Sequence, residues 1–293
     1  MPGVAMATRK VDGEPMESKR GIDARIETYY SERGNEQERL RQGEGWIEFE
    51  RTRELIRRHL PDTPLRILDV GGAAGIYAEW LAGDGHNVHL IDPMPRHIEE
   101  AREAASRLDN PFTSRLGDAR ALEEADGSVD VVLLLGPLYH LTERDDRLKA
   151  LSEARRVLRP GGLCFAAAIS RFGSLFSGLA WGMLTDPGFR AIVEQALRDG
   201  QHRNPTDHPG WFTTAYFHHP DELEAEAREA GFDVSGLYGV EGMPGWIIAA
   251  NDRWDDPTHR ELLLEAARAT ESDPSLRGLS SHMLLVARIP AKG

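Results

Sequence analysis

The stretch Ile67-Leu68-Asp69-Val70-Gly71-Gly72-Ala73-Ala74-Gly75-Ile76 decides how the chain folds. Ile67, Leu68 and Val70 are apolar and suit a buried strand. Gly71, Gly72 and Gly75 add backbone freedom directly after it. Tyr77 to Leu81 then continue as a helix. A strand, a glycine turn and a helix start, in that order, let a ligand approach the main chain beside the positive end of a helix.

Glycine spacing separates two ligand classes. The dinucleotide fingerprint needs G-x-G-x-x-G/A, but counting from Gly71 meets Ala73 and Ile76, and counting from Gly72 meets Ala74 and Tyr77. A nicotinamide-dependent reductase is therefore disfavoured. The stretch resembles motif I of the class I S-adenosylmethionine-dependent methyltransferases, D/E-x-G-x-G-x-G, in Asp69, Gly71, Ala73 and Gly75, with Gly72 in the same turn. The departure is Ala73 at the middle glycine, which trims room for the cofactor by a methyl group. The competing reading is a turn that binds nothing.

The whole chain fits this picture. Its 293 residues can bury a sizeable core. No internal repeat or low-complexity linker divides them, so one domain is expected over 21–293, with its core at 65–170. Cys164 stands alone inside an apolar run, a core residue rather than half of an internal disulfide, and suits a reducing cytoplasm. Neither an 18-residue apolar stretch nor a signal sequence is present, so membrane spanning and secretion are not expected. A net charge of -13 without a local block of lysine and arginine argues against nucleic acid as a partner.

Residues 1–20 lack periodicity and are expected to form a disordered tail. From Ile22 to Leu60 the chain reads as helices. In the methyltransferases it resembles, such a helical part covers the cofactor cleft and its aromatic residues wall off the methyl group, which makes Tyr29 and Tyr30 substrate-side candidates; the alternative is that both rings pack the helix on the sheet. After the glycine turn and its helix, Asn87 to Ile91 is a second strand, and Asp92 follows at its C-terminal edge, where doubly wound sheets bind ligands. A carboxylate there can accept both ribose hydroxyls, or simply cap the next helix ahead of Pro93. Past a helix from Pro95 to Leu108 and a strand from Phe112 to Leu116, Gly117-Asp118-Ala119 resembles the family's third cofactor motif, which implies that Asp118 accepts from the adenine amino group with Ala119 beside it. A turn aspartate is the rival reading.

Asp130 to Leu135 is the clearest strand, uniformly apolar after its first residue as a central parallel strand should be. The resemblance puts Leu135 against the cofactor and catalytic residues in the loop that follows, Gly136-Pro-Leu-Tyr-His140. This loop partly echoes the Asn/Asp-Pro-Pro-Tyr signature of amino-nitrogen methylating enzymes, but Gly136 removes the side chain that would hold an amine. His140 is a candidate general base and Tyr139 could orient the acceptor. A histidine ahead of a helix can equally cap or pack. Thr142 and Asp145 suggest a capping box for a helix reaching Leu158, stopped by Pro160-Gly161-Gly162. The string from Glu153 to Leu163 resembles the segment before strand five in small-molecule and quinone methyltransferases.

Arg171, after that fifth strand (Leu163 to Ile169), could clamp a substrate carboxylate, or lie at the surface. Residues 172–210 and 241–280 read as insertions, the first as an apolar lid or the contact of a homodimer. His218 and His219 sit before a helix start at Pro220 and have no third ligand at diagnostic spacing, so no metal is expected. Val234 to Val240 and Ser281 to Ile289 supply strands six and seven. Together these features predict a doubly wound, Rossmann-like seven-stranded α/β sheet under an N-terminal helical cover, as the resemblance implies. They predict S-adenosylmethionine as cofactor and a small-molecule O, N or C nucleophile as acceptor. A non-catalytic module that keeps the cofactor fold is the alternative.

Overall fold

The computed structural model describes residues 21–32, 36–249 and 256–290. The expected tail at 1–20 and Trp254 lie outside the described residues. Three helices come first, α1 (Ala24–Glu32), α2 (Glu36–Arg39) and α3 (Gly43–Arg57). Strands and helices then alternate as β1 (Arg66–Val70), α4 (Ile76–Gly83), β2 (Asn87–Asp92), α5 (Pro95–Ala105), β3 (Thr113–Leu116), β4 (Val129–Leu134), a single turn α6 (Pro137–His140), α7 (Arg144–Val157) and β5 (Leu158–Ile169). The rest comprises α8 (Gly173–Ala180), α9 (Pro187–Asp199), a hairpin of β6 (Gln201–His202) and β7 (Ala215–Tyr216), α10 (Pro220–Glu229), β8 (Asp233–Gly239), α11 (Gly242–Ala249), α12 (Pro257–Thr270) and β9 (His282–Arg288).

Seven strands form one sheet in the order β3-β2-β1-β4-β5-β9-β8, the α/β doubly wound arrangement the sequence predicts. All run parallel except β9, which is antiparallel to both β5 and β8. The chain winds outward from β1 through β2 to β3, then returns to place β4 on the other side of β1. That reversal opens a crevice at the C-terminal ends of β1 and β4, the standard ligand position of such sheets.

Alternation along the strands sends Ile67, Leu90, Val131, Phe165 and Val286 to one face, covered by helices α3 to α5. Leu68, Ile91, Val132, Cys164 and Leu285 go to the other, with Leu151 and Ala154 of α7 and Leu223 of α10. Both faces are dry, which is why β1, β4 and β5 read as continuous apolar runs.

Three local expectations change. The capping box at Thr142 does not form: α7 starts one turn position later, with Glu143 as N-cap and no side-chain cap bond. The box occurs instead at α10, where the His219 backbone N–H donates to Glu222 Oε2 at 2.9 Å. Pro160-Gly161-Gly162 ends the helix but does not delay the strand, because β5 already pairs at Leu158 and absorbs the glycines in a bulge opposite Val129 and Val131.

Arg171 does not reach the surface or the crevice. Its buried guanidinium donates to the Phe217 carbonyl at 2.7 Å and to Glu222 Oε2 at 2.6 Å, tying the end of β5 to α10. A second buried pair lies beside it: Arg147 donates to Glu226 Oε1 at 2.8 Å and stacks on the Tyr216 ring, while His218 meets Glu226 at 3.3 Å. His218 and His219 thus serve the α10 junction and share no ligand position. In the first insertion Asp186 caps α9 through Gly188 N–H at 2.7 Å, and Phe189, Ile192 and Val193 pack on Trp211 in a small core of their own.

Candidate active site

A cavity of about 910 Å³ occupies the crevice. Its floor is the glycine turn. Gly71 and Gly75 adopt φ of 71° and 93°, and Ala73 adopts 47°. A Cβ on Gly71 would stand 2.7 Å from Pro137 Cγ, and one on Gly75 2.8 Å from Phe112 Cζ, so these two glycines are required by both conformation and space. Gly72 is needed for another reason, since a Cβ there would meet Asp69 Oδ2 at 2.5 Å. Ala73 is tolerated in the left-handed region as a small residue, at a cost of roughly 1–2 kcal/mol.

Asp69 ends β1 beneath this turn and lines the cavity. Its side chain is 1 % exposed, and neither carboxylate oxygen has a hydrogen-bond partner among the described residues. Burial, and then the nearby Asp92, raise its carboxyl to about 7. An orphaned acid beneath a cradle of glycines lacks a cationic group, and this fits the positively charged amino acid end of S-adenosylmethionine.

Asp92 is held differently. Its Oδ1 accepts from Met94 N–H and His97 Nδ1, each at 2.9 Å, and its Oδ2 accepts from Ala73 N–H at 2.9 Å. The ribose candidate therefore also ties β2 to the glycine turn and to Met94 and His97 at the start of α5, without capping a helical N–H. These contacts and cofactor binding are compatible, because a carboxylate offers about four acceptor sites. Asp118 lines the same end with Ala119. Burial pushes its carboxyl up, but hydrogen bonds from Arg120 outweigh burial and hold it below the usual range. Arg120 also reaches Asp146 at 2.8 Å and the Gly21 carbonyl at 2.8 Å, closing this end of the cavity with α7 and the N-terminal segment. Leu135 and Gly136 complete the wall at the end of β4.

Aromatic rings gather where β4 runs into α6. Tyr30 O–H and His140 Nε2 are 2.8 Å apart, and His140 Nδ1 lies 3.4 Å from the Thr214 carbonyl. A carbonyl only accepts, so Nδ1 carries the proton and Nε2 accepts from Tyr30. Tyr139 packs against His140 at 4.7 Å between ring centroids and also lines the cavity. Tyr29 stands behind this wall, edge-on to Tyr30 at 5.1 Å and to Phe212 at 5.7 Å. Phe212 is fixed in turn by His202, whose Nε2 donates to the Phe212 carbonyl at 3.3 Å while its Nδ1 accepts from Ser174 at 2.8 Å. Burial pushes His202 down to about 4, so this strut stays neutral in ordinary buffers.

The sequence reading missed a further group. Arg39, Glu48, Thr52, Tyr77 and His282 line the side of the cavity facing β5 and β9, and Glu241 stands behind His282. The Glu241 carboxylate and the His282 Nδ1 are 2.5 Å apart, and Glu48 lies 3.6 Å from the same nitrogen. Burial disfavours a charged His282, but Glu48 and Glu241 outweigh it and raise the ring to about 9. Residues 39, 48, 241 and 282 share no local pattern, and only the tertiary fold brings them together.

Comparison with known proteins agrees with this geometry. Residues 68–166 match the family described as "Methyltransferase domain". The ubiquinone biosynthesis O-methyltransferase of Azorhizobium caulinodans is 30 % identical over 212 residues, covering 68 % of this chain and 75 % of that protein. The protein of the same name from Methylocella silvestris is 38 % identical over 132 residues, covering 41 % of this chain and 50 % of its own length. Among solved structures, a methyltransferase of Methanosarcina mazei superposes with a TM-score of 0.56 at 17 % identity, over 81 % of this chain and 98 % of that one. The matched domain and the similarity over two thirds of both chains show the family: the chain is a member of the class I S-adenosylmethionine-dependent methyltransferases.

Proposed function

We propose that the enzyme methylates a hydroxyl oxygen of a small, partly apolar acceptor, with His140 as general base acting through Tyr30. The observation that carries this reading is the 2.8 Å contact between Tyr30 O–H and His140 Nε2 on the wall of the cavity, close to the glycine turn. Bound S-adenosylmethionine supplies a methyl group already activated on sulfonium. This chain's part is the proton: as the acceptor oxygen is methylated, its proton passes to the Tyr30 oxygen while the Tyr30 hydroxyl proton passes to His140 Nε2. The Nδ1–H held by the Thr214 carbonyl fixes the tautomer that leaves Nε2 able to receive it.

The remaining site residues position rather than react. Asp69, Asp92 and Asp118 hold the cofactor at its amino acid, ribose and adenine ends; Tyr139 and Tyr29 shape the acceptor side. Ile192 and Gln195 of α9 close the cavity from above, which keeps water from the transfer. Two observations support oxygen over nitrogen: Gly136 offers no side chain to hold an amine, and the relatives named above carry O-methyltransferase names. Cytoplasmic residence belongs to the same reading, supported by a single cysteine, Cys164, that can form no internal disulfide.

The test uses labelled cofactor and a cell extract, with the labelled product identified. His140→Ala should lower turnover by roughly 10²- to 10⁴-fold while cofactor affinity is unchanged. Full turnover in that variant would return His140 to a packing role.

A further inference from the structure

The corner of the cavity that methyl transfer through His140 leaves unused is centred on His282. β9 begins there, opposite Ile169 at the end of β5, and Tyr139 packs on the apolar cluster that Ile169 forms with Ala215 and Phe217. The ring therefore stands at the sheet edge that carries the acceptor side. Its Nδ1 faces two carboxylates, Glu241 Oε1 at 2.5 Å and Glu48 Oε2 at 3.6 Å, and so bears a proton. Glu241 is itself fixed, its Oε2 accepting from Ser280 Oγ at 2.7 Å and from His282 N–H at 3.0 Å. His282 Nε2 makes no hydrogen bond to any described residue, although the ring lines the cavity. A carboxylate behind one imidazole nitrogen orients the ring and favours its charged form, leaving the other nitrogen for a ligand.

We propose that His282 is an acceptor-binding residue whose Nε2–H donates to an anionic oxygen of the methyl acceptor beside the hydroxyl that is methylated, so that the acceptors are hydroxy compounds that also carry a carboxylate or an acidic phenol or enol oxygen rather than an amine. This inference rests on the methyltransferase reading of the cavity and deepens it. A ring that stays charged to about pH 9 presents a donor at Nε2 throughout the neutral range. The charged groups facing it are Glu241 before α11, Glu48 on α3 and Arg39 on α2, and Arg39 holds Glu48 in a two-point ion pair. With the ring positive, the corner is neutral overall and does not repel an anion. Leu40, Ile76, Ala167 and Val240 add apolar walls beside it, suited to a ring or short chain. A hydrogen bond from imidazolium to an oxyanion is about twice as strong as a neutral one. An ammonium would instead set its own donors against Nε2–H.

A divalent cation is the rival occupant, since ligand atoms of Glu48, Glu241 and His282 lie within 4.8 Å of one another. Arg39 on Glu48 and the proton on Nδ1 both oppose it. The protein, loaded with S-adenosylhomocysteine, is titrated with 4-nitrophenol, followed by phenolate absorption, and with 4-nitroaniline as the uncharged control. Wild type should bind the phenolate and lower the pH at which the phenol ionises. His282→Asn and Glu241→Gln should each weaken phenolate binding at least tenfold, with affinity for S-adenosylhomocysteine and 4-nitroaniline unchanged. In wild type, the Nε2 resonance of ¹⁵N-labelled His282 should move on adding the phenolate, a readout that needs no variant. Equal phenolate affinity in His282→Asn, no phenolate binding by wild type, or stoichiometric Zn²⁺ or Mg²⁺ binding that Glu48→Gln abolishes would each overturn the proposal, the last in favour of a cation site. Failure of the base assignment appears separately, as full turnover in His140→Ala, and leaves this titration untouched.

Discussion

Asp69→Asn should stabilise the cofactor-free protein while weakening its grip on the cofactor, two effects of opposite sign from one substitution. Wild type buries this carboxylate at 1 % exposure with no hydrogen bond to either oxygen among the described residues. Burial and then Asp92 raise it from 3.8 to about 7, a difference that corresponds to roughly 4 kcal/mol. The folded protein binds this proton more tightly than the unfolded chain, so stability falls as pH rises from about 4 to 7 and is level above that. The variant escapes that loss, but its amide brings unmet donors worth about 1–3 kcal/mol. The net gain at pH 8 is then about 1–3 kcal/mol, or roughly 2–8 °C in Tm, shrinking to nothing or reversing near pH 4.5. Thermal melts across pH give the first effect and calorimetric titration with S-adenosylmethionine the second. In wild type, affinity should fall roughly tenfold per pH step below 7, because the cationic end of the ligand needs the ionised acid; in the variant it should be weaker and flat. A variant less stable than wild type at pH 8, or one with unchanged affinity and pH profile, would refute the reasoning.

Gly75→Ala forces a Cβ to within 2.8 Å of Phe112 at a φ of 93° and should cost about 1–3 kcal/mol in urea unfolding. Ala73→Gly, at a φ of 47°, should be neutral or mildly stabilising in the same assay, since relief of left-handed strain offsets the added chain entropy. Arg147→Met strands Glu226 and should destabilise by about 3–5 kcal/mol; adding Glu226→Leu should recover much of that, and a double variant as unstable as the single one would show that the ion pair is not the cause.

The strand-end wall of the cavity is legible in the sequence because each of its parts is local. A strand end, a turn and one acid fall within a few residues of each other at Asp69, Asp92 and Asp118, so apolar runs and glycine spacing reveal them before any packing is known. Even there, tertiary contacts change the detail. Asp118 is engaged by Arg120, and Asp92 anchors the glycine turn as well as facing the cavity. Arg171 shows the limit of reasoning from position alone: it follows a strand at the correct sheet edge, yet Tyr216, Phe217 and Glu222 draw its guanidinium into the α10 junction. The Thr142 capping box failed for a similar reason. Arg147 takes the Leu141 and Thr142 carbonyls at 3.0 Å each, which fixes the approach to α7 and leaves Glu143, not Thr142, at the N-cap position.

The acceptor half is hidden for a physical reason that also bears on how such an enzyme can change its substrate. Its polar groups come from α2, α3, the turn before α11 and the first residue of β9, segments separated by up to about 240 residues and brought together by the insertion of β9 between β5 and β8 and by the packing of α3 on α11. No helical or strand period links them, and each alone reads as an ordinary surface charge. The donor turn makes few demands on those segments: Asp69, the glycines and Asp92 are held by contacts among β1, β2, β4 and the start of α5. Substitution at Glu48, Glu241 or His282 can therefore alter what is methylated while the cofactor cradle stays intact. The same separation explains why a match over residues 68–166 identifies the donor chemistry and leaves Arg39, Glu48, Glu241 and His282 outside it.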